Sequence, residues 1–193
     1  VPAYTSGGST THLSTMDGSG MAVSLTQTLL SLFGSRVVVP GTGVLMNNGM
    51  MWFDPEPGRP NSIEGGKKPL ANMSPAIVTR NDEVVAALGA SGGRRIMDCL
   101  AQIAMNLIDH GMSMQEAVTA PRIDRSTATL NVSSRLPRSV TNGLTELGHC
   151  VSVRDETLFF GDFASPACVQ RTEAGELRGG VDPYYFPATA KGV

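Results

Sequence analysis

The order of its secondary-structure signals constrains this 193-residue chain most. Two β-hairpin patterns come first, a long amphipathic helix pattern follows, and short strand patterns return towards the end. Strands and helices that are grouped in this way, rather than alternating one by one, are typical of α+β folds and layered sandwiches. The sequence therefore predicts an α+β architecture rather than a βαβ chain.

The two hairpins are marked by turn residues between β-prone stretches. In the first, the turn 16–20 carries Asp-Gly and Ser-Gly steps, so Thr10 is predicted to begin one strand and Thr28 to end the other. The second hairpin joins 76–79 to 83–88. Because both of its strands are mostly apolar, we expect them in the centre of a sheet, buried on both faces.

The long helix pattern repeats apolar side chains every three or four positions, namely Ile96, Leu100, Ile103 and Leu107. Gly111 is placed to end this helix through a left-handed cap. A capping box that starts at Ser113 predicts a short second helix, and the spacing in 140–147 predicts a third. Short strands are then expected near 151–153 and 167–171.

Charge and hydropathy exclude two classes of partner. Fifteen Lys and Arg are balanced by seventeen Asp and Glu, and the basic residues are scattered, which argues against nucleic-acid binding. No stretch reaches the roughly 18 to 20 apolar residues that a membrane span needs. Residues 1–9 have neither a basic start nor an apolar run, so we also expect no signal peptide.

The cysteines and histidines predict no metal or cofactor. The three cysteines lie far apart, at Cys99, Cys150 and Cys168. An odd count leaves at least one free thiol and favours a reducing compartment, the cytoplasm over the periplasm. The three histidines have no Cys or carboxylate at ligand spacing, and no nucleotide-binding loop or serine-hydrolase elbow is present.

Two segments could carry chemistry: 9–12 at the start of a strand and 89–93 between a strand and the long helix. A threonine hydroxyl needs a base, and its own α-amino group, with a pKa of about 7.7 to 8.0, can serve once the preceding peptide bond is cut. A glycine pair before a helix offers unobstructed N–H groups to an oxyanion. Taken alone, each segment is more often explained by ordinary β-propensity or an ordinary turn.

Five motifs in a fixed order, between Thr10 and about Pro183, point to one family. They are Thr10-Thr11-His12-Leu13-Ser14, Gly43-Val44-Leu45-Met46-Asn47-Asn48, Lys68-Pro69-Leu70-Ala71-Asn72-Met73-Ser74-Pro75, Gly89 to Arg95, and Ala120-Pro121-Arg122. In order and spacing they resemble the small subunit of γ-glutamyltranspeptidases. The resemblance implies the four-layer αββα fold of N-terminal-nucleophile hydrolases, to which residues 1–193 contribute the small-subunit portion.

The resemblance also implies a mechanism and a partner. Thr10 corresponds to the self-cleaving residue and nucleophile, Thr28 to the threonine that supports it, and Gly92 with Gly93 to the oxyanion-hole pair. One precursor would cut itself into a large and a small subunit, and residues 1–9 would be removed on maturation. The large subunit is then the expected partner, and a small-molecule amide the expected substrate, with no cofactor.

The positions that bind the γ-glutamyl group in the family are mostly replaced in this sequence. Leu30 stands for an Asn, Gly49 for a Gln or Glu, Trp52 for the Asp that binds the α-amino group, and Ala71-Asn72 for a Ser-Ser pair. An ammonium that loses a buried carboxylate partner loses several kcal/mol. The sequence thus favours hydrolysis of a small or non-aminated acyl amide, oxamate-like or glutaryl-like.

Three alternatives stay open at this stage. The chain could be a true γ-glutamyltransferase or glutathione hydrolase, or a catalytically retired member with a binding role, and Met50, Met51 and Trp52 could simply pack in a core. Nine residues precede Thr10, which we interpret as an uncut junction, although a break at Val1 or another N-terminal residue is also compatible. The fallback nucleophiles are the nearby hydroxyls of Ser6, Ser9 and Thr11.

Overall fold

Two β-sheets packed face to face, with helices on the far side of one of them, organise the chain. The computed structural model describes residues 9–156, 162–186 and 188–192. Within them the strands are β1 (Thr10–Met16), β2 (Ala22–Thr28), β3 (Ala76–Arg80), β4 (Glu83–Leu88), β5 (Ala90–Ser91), β6 (Ile123–Asp124), β7 (Leu130–Ser133), β8 (Val151–Arg154), β9 (Ser165–Arg171) and β10 (Leu177–Val181). The helices are α1 (Arg95–Ile108), α2 (Met114–Thr119) and α3 (Arg138–Glu146), with a short 3₁₀ helix at Gly49–Trp52.

The first sheet is the predicted hairpin of β1 and β2. The strands pair antiparallel in one unbroken register, with Thr10 opposite Thr28. The Asp17 carboxylate accepts hydrogen bonds from the backbone N–H groups of Ser19 and Met21, which stabilises the turn between the strands. The prediction that Thr10 begins one strand and Thr28 ends the other is confirmed.

The second sheet has the strand order β10-β9-β4-β3, and β5 extends it by pairing with β9. The strand β4 lies in its centre, and Ala86, Ala87 and Leu88 are buried. The prediction that β3 is also central is wrong, because β3 lies at the edge of the sheet that the described residues form, and its Ile77 is 43% exposed. Apolar composition does not reveal the edge position of β3. The strand order is set by the pairing of β4 with β9, which lies far along the chain.

Two of the three predicted helices, α1 and α2, cover the outer face of the second sheet. Ile96, Leu100 and Ile103 of α1 are buried at the predicted helical spacing, and Gly111 beyond its end has a φ of +62°. The capping box at Ser113 is present and opens α2, which packs on β9 and β10. Each fully buried side chain of this kind contributes about 1.5–3 kcal/mol.

The layers therefore run hairpin sheet, second sheet, helices. The strand β1 packs against β9 and β5, and β2 against β4 and β3. The outward side chains of the hairpin, Leu13, Val23 and Leu25, are each about half exposed. The described residues thus provide three layers of an α+β sandwich, and the apolar outer face of the hairpin is open to solvent in them.

A smaller three-stranded sheet lies beside the sandwich and was only partly predicted. Its order is β6-β7-β8, with β7 and β8 parallel and α3 packed against β8. The sequence predicts β8 and α3 but gives no signal for β6 or β7. Two-residue and four-residue strands are too short for an alternation pattern to identify them.

A buried arginine joins the end of α2 to the last part of the chain. The Arg122 side chain is 3% exposed, and its Nη1 donates to the Val118 carbonyl over 3.2 Å. Its Nη2 lies 4.0 Å from a carboxylate oxygen of Glu156 and 4.0 Å from one of Asp182. A buried charge needs such partners, so the Ala120-Pro121-Arg122 motif has a structural role in this fold.

None of the helices in the described part of the chain has the length and apolar character needed to cross a bilayer. The longest, α1, has 14 residues and one buried side only.

Candidate active site

The hydroxyl of Thr10 is held by the residue opposite it on the hairpin. The Thr10 Oγ1 donates to the Thr28 Oγ1 over 3.0 Å. The Leu30 backbone N–H donates to the same Thr28 oxygen over 2.8 Å. Both threonines are half-buried. Two donors therefore fix the Thr28 hydroxyl, and Thr28 in turn fixes the rotamer of Thr10 at the end of the sheet.

The backbone at Leu30 adopts a conformation that leucine disfavours. Its φ is +70°, in the left-handed region that costs an ordinary L-residue about 1–2 kcal/mol. Asn and Gly tolerate this region better. The hydrogen bond from the Leu30 N–H to Thr28 depends on this sharp reversal after β2. The Asn expected here by resemblance would thus relieve backbone strain as well as offer a side-chain donor.

His12 lies on the same face of β1 as Thr10 and does not serve as its base. Its Nδ1 is hydrogen-bonded to the Thr26 hydroxyl at 2.7 Å, and its Nε2 to the Ser14 hydroxyl at 2.8 Å. Burial lowers the pKa of His12 to about 4, so the ring is neutral near neutral pH. Since both ring nitrogens are already hydrogen-bonded, His12 is not positioned to accept a proton from the Thr10 hydroxyl.

The His12 ring lies directly on Gly89, where β4 ends. A Cβ added at Gly89 would overlap the ring. Ser24, on the partner strand, donates through its hydroxyl to the Leu88 carbonyl over 2.7 Å. Glycine at position 89 therefore allows the hairpin to approach the strand that leads into the glycine turn, and His12 is a contact that sequence reasoning did not assign.

Both glycines of the predicted oxyanion pair have a left-handed backbone between β5 and α1. Gly92 has φ +139° and Gly93 φ +65°. The Gly92 carbonyl accepts from Arg95 Nε at 3.1 Å, and the Gly93 carbonyl accepts from the Ile96 N–H at 3.2 Å. In the trans peptide that joins Gly92 to Gly93, the carbonyl and the N–H point in opposite directions, so the Gly93 N–H points away from Arg95 Nε. The strand β5 that precedes this turn packs against β1.

The predicted substrate residues Gly49 and Trp52 lie together in the 3₁₀ helix. Gly49 is buried, its N–H donates to the Asn47 side-chain oxygen at 2.9 Å, and the Trp52 ring lies against it. Met50 and Met51 are 59% and 60% exposed. The two methionines therefore do not pack in a core of the described residues, and only the half-buried Trp52 is partly enclosed.

The other two predicted substrate residues are less closely tied to the site. Ala71 is exposed and Asn72 half-buried, in an irregular segment before β3. Within the described ranges no hydrogen bond or ion pair joins them to Thr10, Thr28 or the glycine turn. The structure thus brings Thr10, Thr28 and Leu30 together through hydrogen bonds and leaves Ala71 and Asn72 apart.

Sequence reasoning missed the residues that hold this region together. Asn48 is bonded to Ser31 through both ends of its side-chain amide, and Ser9 is bonded to the Ser31 carbonyl. Asn48 stands in one of the family motifs, which is the only sequence signal that could have identified it. The contact of Ser9 with Ser31 has no sequence signal, because 22 residues separate them.

Other nucleophiles and metals have little support in the described part of the chain. Burial raises the pKa of the Cys99 thiol to about 11 and of the Cys168 thiol to about 12, which keeps both protonated. Thr11 is exposed on the opposite face of β1 from Thr10, and Ser6 lies outside the described residues. No three His, Cys, Asp or Glu side chains among the described residues come together as a metal site.

Comparison with known proteins matches nearly the whole chain to a single protein family. The γ-glutamyltranspeptidase family model matches residues 2–185. The chain is 43% identical over 142 residues to the acylase ACY 1 proenzyme of Pseudomonas sp. (strain SE83), which covers 74% of the chain and 25% of the proenzyme. It is 44% identical over 132 residues to the glutathione hydrolase proenzyme of Pseudomonas sp. (strain A14), with 63% and 23% covered.

A solved structure agrees with these sequence relatives. Cephalosporin acylase from Bacillus halodurans superposes with a TM-score of 0.80 at 32% identity, covering 90% of this chain and 32% of that chain. The chain therefore spans about a quarter of the curated proenzymes and a third of this acylase chain.

The layered sheets place the chain in a structural class, the N-terminal-nucleophile hydrolase superfamily with its α+β sandwich. Within that superfamily, the chain belongs to the γ-glutamyltranspeptidase family.

Proposed function

We propose that the protein is an amide-bond hydrolase that works through an acyl-enzyme on Thr10. The observation that carries the proposal is the 3.0 Å hydrogen bond between the Thr10 and Thr28 hydroxyls at the end of the hairpin. It orients the hydroxyl that the family motif marks as the nucleophile. The two left-handed glycines lie in the turn after β5, the strand that packs against β1, and they supply the second requirement, a turn suited to an oxyanion.

The proposed reaction uses the freed amine of Thr10 as its base. This amine takes the hydroxyl proton while Thr10 Oγ1 forms a bond to the substrate's carbonyl carbon. Backbone N–H groups of Gly92 and Gly93 stabilise the oxyanion. The amine then gives the proton to the leaving nitrogen, and the C–N bond breaks. Water, deprotonated by the same amine, cleaves the ester, releases the carboxylic acid and restores the threonine.

This mechanism requires a maturation step. In the described structure Thr10 follows Ser9 through an ordinary peptide bond, so its nitrogen is not basic. We propose that Thr10 cuts this bond and so separates residues 1–9, of which 1–8 lie outside the described residues, from the chain that begins with Thr10. The names of both proenzyme relatives support such processing, and the chain's share of their length supports a large partner subunit from the same precursor.

The proposed substrate is an amide whose acyl group is small or lacks an α-amino group, such as an oxamate-like or glutaryl-like amide. Trp52 supports this assignment, because it occupies the position of the family's ammonium-binding Asp and presents no charge. A buried ammonium without a carboxylate is strongly disfavoured. The 43% identity to an acylase proenzyme favours the same class.

The second candidate is γ-glutamyl hydrolysis or transfer. It is favoured by the 44% identity to a glutathione hydrolase proenzyme. A glutaryl anilide and a γ-glutamyl anilide differ only in the α-amino group, so the ratio of their kcat/KM values separates the two candidates. A large preference for the γ-glutamyl compound would overturn the Trp52 argument.

The proposal is tested first by following the mass of the intact protein during long incubation, together with N-terminal sequencing. Appearance of a chain that begins with Thr10 supports the enzyme. If the junction stays intact and neither anilide is turned over, the result favours the alternative of a catalytically inactive family member with a binding role.

Replacing Trp52 with aspartate is expected to shift the substrate preference. The new carboxylate can pair with an α-ammonium group, and a charge-assisted hydrogen bond of about 1.5–3 kcal/mol corresponds to a gain of roughly 10- to 150-fold in kcat/KM. The measurement is kcat/KM of the processed enzyme on the γ-glutamyl and the glutaryl anilide.

The matched control for this change is Trp52→Asn, which has the shape of aspartate without its charge. It opens the same space, so it should not produce the γ-glutamyl gain. Equal gains in both variants would assign the effect to space rather than to charge and would refute the pairing argument.

Replacing Thr28 with valine is expected to slow self-cleavage and turnover about 10-fold, since one orienting hydrogen bond is worth about 1 kcal/mol or slightly more. Valine keeps the shape of threonine and loses the hydroxyl that holds Thr10. Cleavage time courses, kcat and a thermal melt measure the effect. Thr26→Val, which removes a hydroxyl bonded to His12 instead, is the control and should leave cleavage faster than Thr28→Val does.

A further inference from the structure

Ser9, the residue on the other side of the proposed cleavage point, is fixed by a contact of its own. Its Oγ donates to the Ser31 carbonyl over 2.7 Å, across 22 residues of sequence. Ser9 is half-buried, and its own carbonyl carbon is the atom that Thr10 Oγ1 would attack. The side chain of Ser9 therefore restrains the electrophile of the maturation step.

The acceptor of this bond is itself rigidly held. The Ser31 N–H donates to Asn48 Oδ1 at 3.0 Å, and Asn48 Nδ2 donates to the Ser31 hydroxyl at 2.7 Å. The Asn48 N–H donates to the Leu29 carbonyl at 3.1 Å. Asn48 therefore holds both the backbone N–H and the side-chain hydroxyl of Ser31. These bonds keep the Ser31 carbonyl in a fixed position as an acceptor.

The segment 28–31 therefore contacts both groups that react in self-cleavage, the Thr10 hydroxyl and the residue whose carbonyl it would attack. Thr28 holds the hydroxyl of Thr10, and Ser31, three residues later, holds Ser9. An intramolecular attack is fast only when nucleophile and electrophile are both kept in a near-attack geometry. The left-handed backbone at Leu30 turns the chain between the two anchors.

We propose that Ser9, Ser31 and Asn48 form a clamp that positions the Ser9–Thr10 peptide bond for self-cleavage. The inference rests on the proposed function of Thr10. In the step, Thr10 Oγ1 bonds to the Ser9 carbonyl carbon and the C–N bond breaks; the hydroxyl proton ends on the departing Thr10 nitrogen, and Ser9 is left joined to Thr10 as an ester. Water then hydrolyses the ester, which gives a Ser9 carboxylate and restores the Thr10 hydroxyl beside a free amine. Ser9 is a positioning residue, and after the cut it no longer belongs to the catalytic chain.

The test is the rate of self-cleavage of the full-length protein carrying Ser9→Ala, followed by intact mass. Loss of one hydrogen bond at the attacked residue is expected to slow cleavage about 3- to 10-fold. The processed fraction should show unchanged kcat and KM, because residue 9 has been separated from Thr10. A purely structural role in folding would not produce this split between maturation and turnover.

Ser9→Thr is the matched control, since it keeps the hydroxyl and should be cut at nearly the wild-type rate. Asn48→Asp removes the donor to the Ser31 hydroxyl and keeps the oxygen that accepts from Ser31, so it should also slow cleavage. Wild-type cleavage in Ser9→Ala, or equal slowing in Ser9→Thr, would overturn the clamp.

Failure of the clamp is distinguishable from failure of the proposed function. If Ser9→Ala is cut normally while Thr10→Ala is not cut, only the clamp is wrong. Cleavage of Thr10→Ala at the same bond would instead remove Thr10 as the self-cleaving residue. In that case the proposed function fails as well.

Discussion

Replacement of Thr10 with alanine is expected to abolish both self-cleavage and amide hydrolysis. The variant loses the hydroxyl that forms the acyl-enzyme, and loss of a covalent nucleophile lowers kcat by at least about 10³-fold. The fold should persist, because Thr10 is half-buried at the end of a strand and contributes one side-chain hydrogen bond to Thr28. Intact mass, anilide turnover and a thermal melt measure the three effects.

Two further variants make the Thr10 result specific. Thr10→Ser retains a hydroxyl and should keep measurable cleavage and turnover. Thr11→Ala removes the neighbouring hydroxyl on the opposite, exposed face of β1 and should behave like the wild type. Turnover that survives in Thr10→Ala but disappears in Thr11→Ala would transfer the nucleophile to Thr11.

Replacement of Gly92 with alanine is expected to lower kcat by about 10²- to 10³-fold, the usual effect of losing an oxyanion-hole donor. The φ of Gly92 is +139°, and its new Cβ would lie 2.7 Å from the Ala164 Cα. The backbone of Ala164 is held in its own segment and cannot easily yield, so the glycine turn has to move. The backbone N–H is retained, and the loss therefore arises from its displacement.

Gly93→Ala is the control for this prediction. Its φ of +65° is strained for alanine by about 1 kcal/mol or slightly more, but its Cβ would meet nothing within 4 Å. We expect a small loss of stability and much weaker loss of kcat than in Gly92→Ala. Wild-type kcat in properly folded Gly92→Ala would exclude this turn from oxyanion stabilisation.

Local signals in the sequence were sufficient for many elements. The Asp-Gly and Ser-Gly steps predicted the first turn, and the apolar spacing with Gly111 and the capping box predicted α1 and α2. These elements depend on side chains within a few residues of one another, so their signals are contained in short stretches of sequence.

Long-range pairing was not readable in the same way. The edge position of β3, the parallel pair of β7 and β8, and the contact of His12 with Gly89 all join residues that are distant in the sequence. Mostly apolar composition therefore predicts a central position for β3, whereas the structure places it at an edge. The hydrogen bonds of Asn48 and Ser31 were missed for the same reason.

The sequence by itself determined the family motifs, the candidate nucleophile and the strand that presents it, because each is encoded in consecutive residues. Only the tertiary structure decided that the Thr10 and Thr28 hydroxyls are hydrogen-bonded. The same holds for the hydrogen bond of the His12 ring to the Thr26 hydroxyl and for that of Ser9 to the Ser31 carbonyl. Such contacts depend on register and on the approach of separate strands to within hydrogen-bonding distance. Those distances are set by the packing of the whole sandwich, and no short stretch of the sequence contains them.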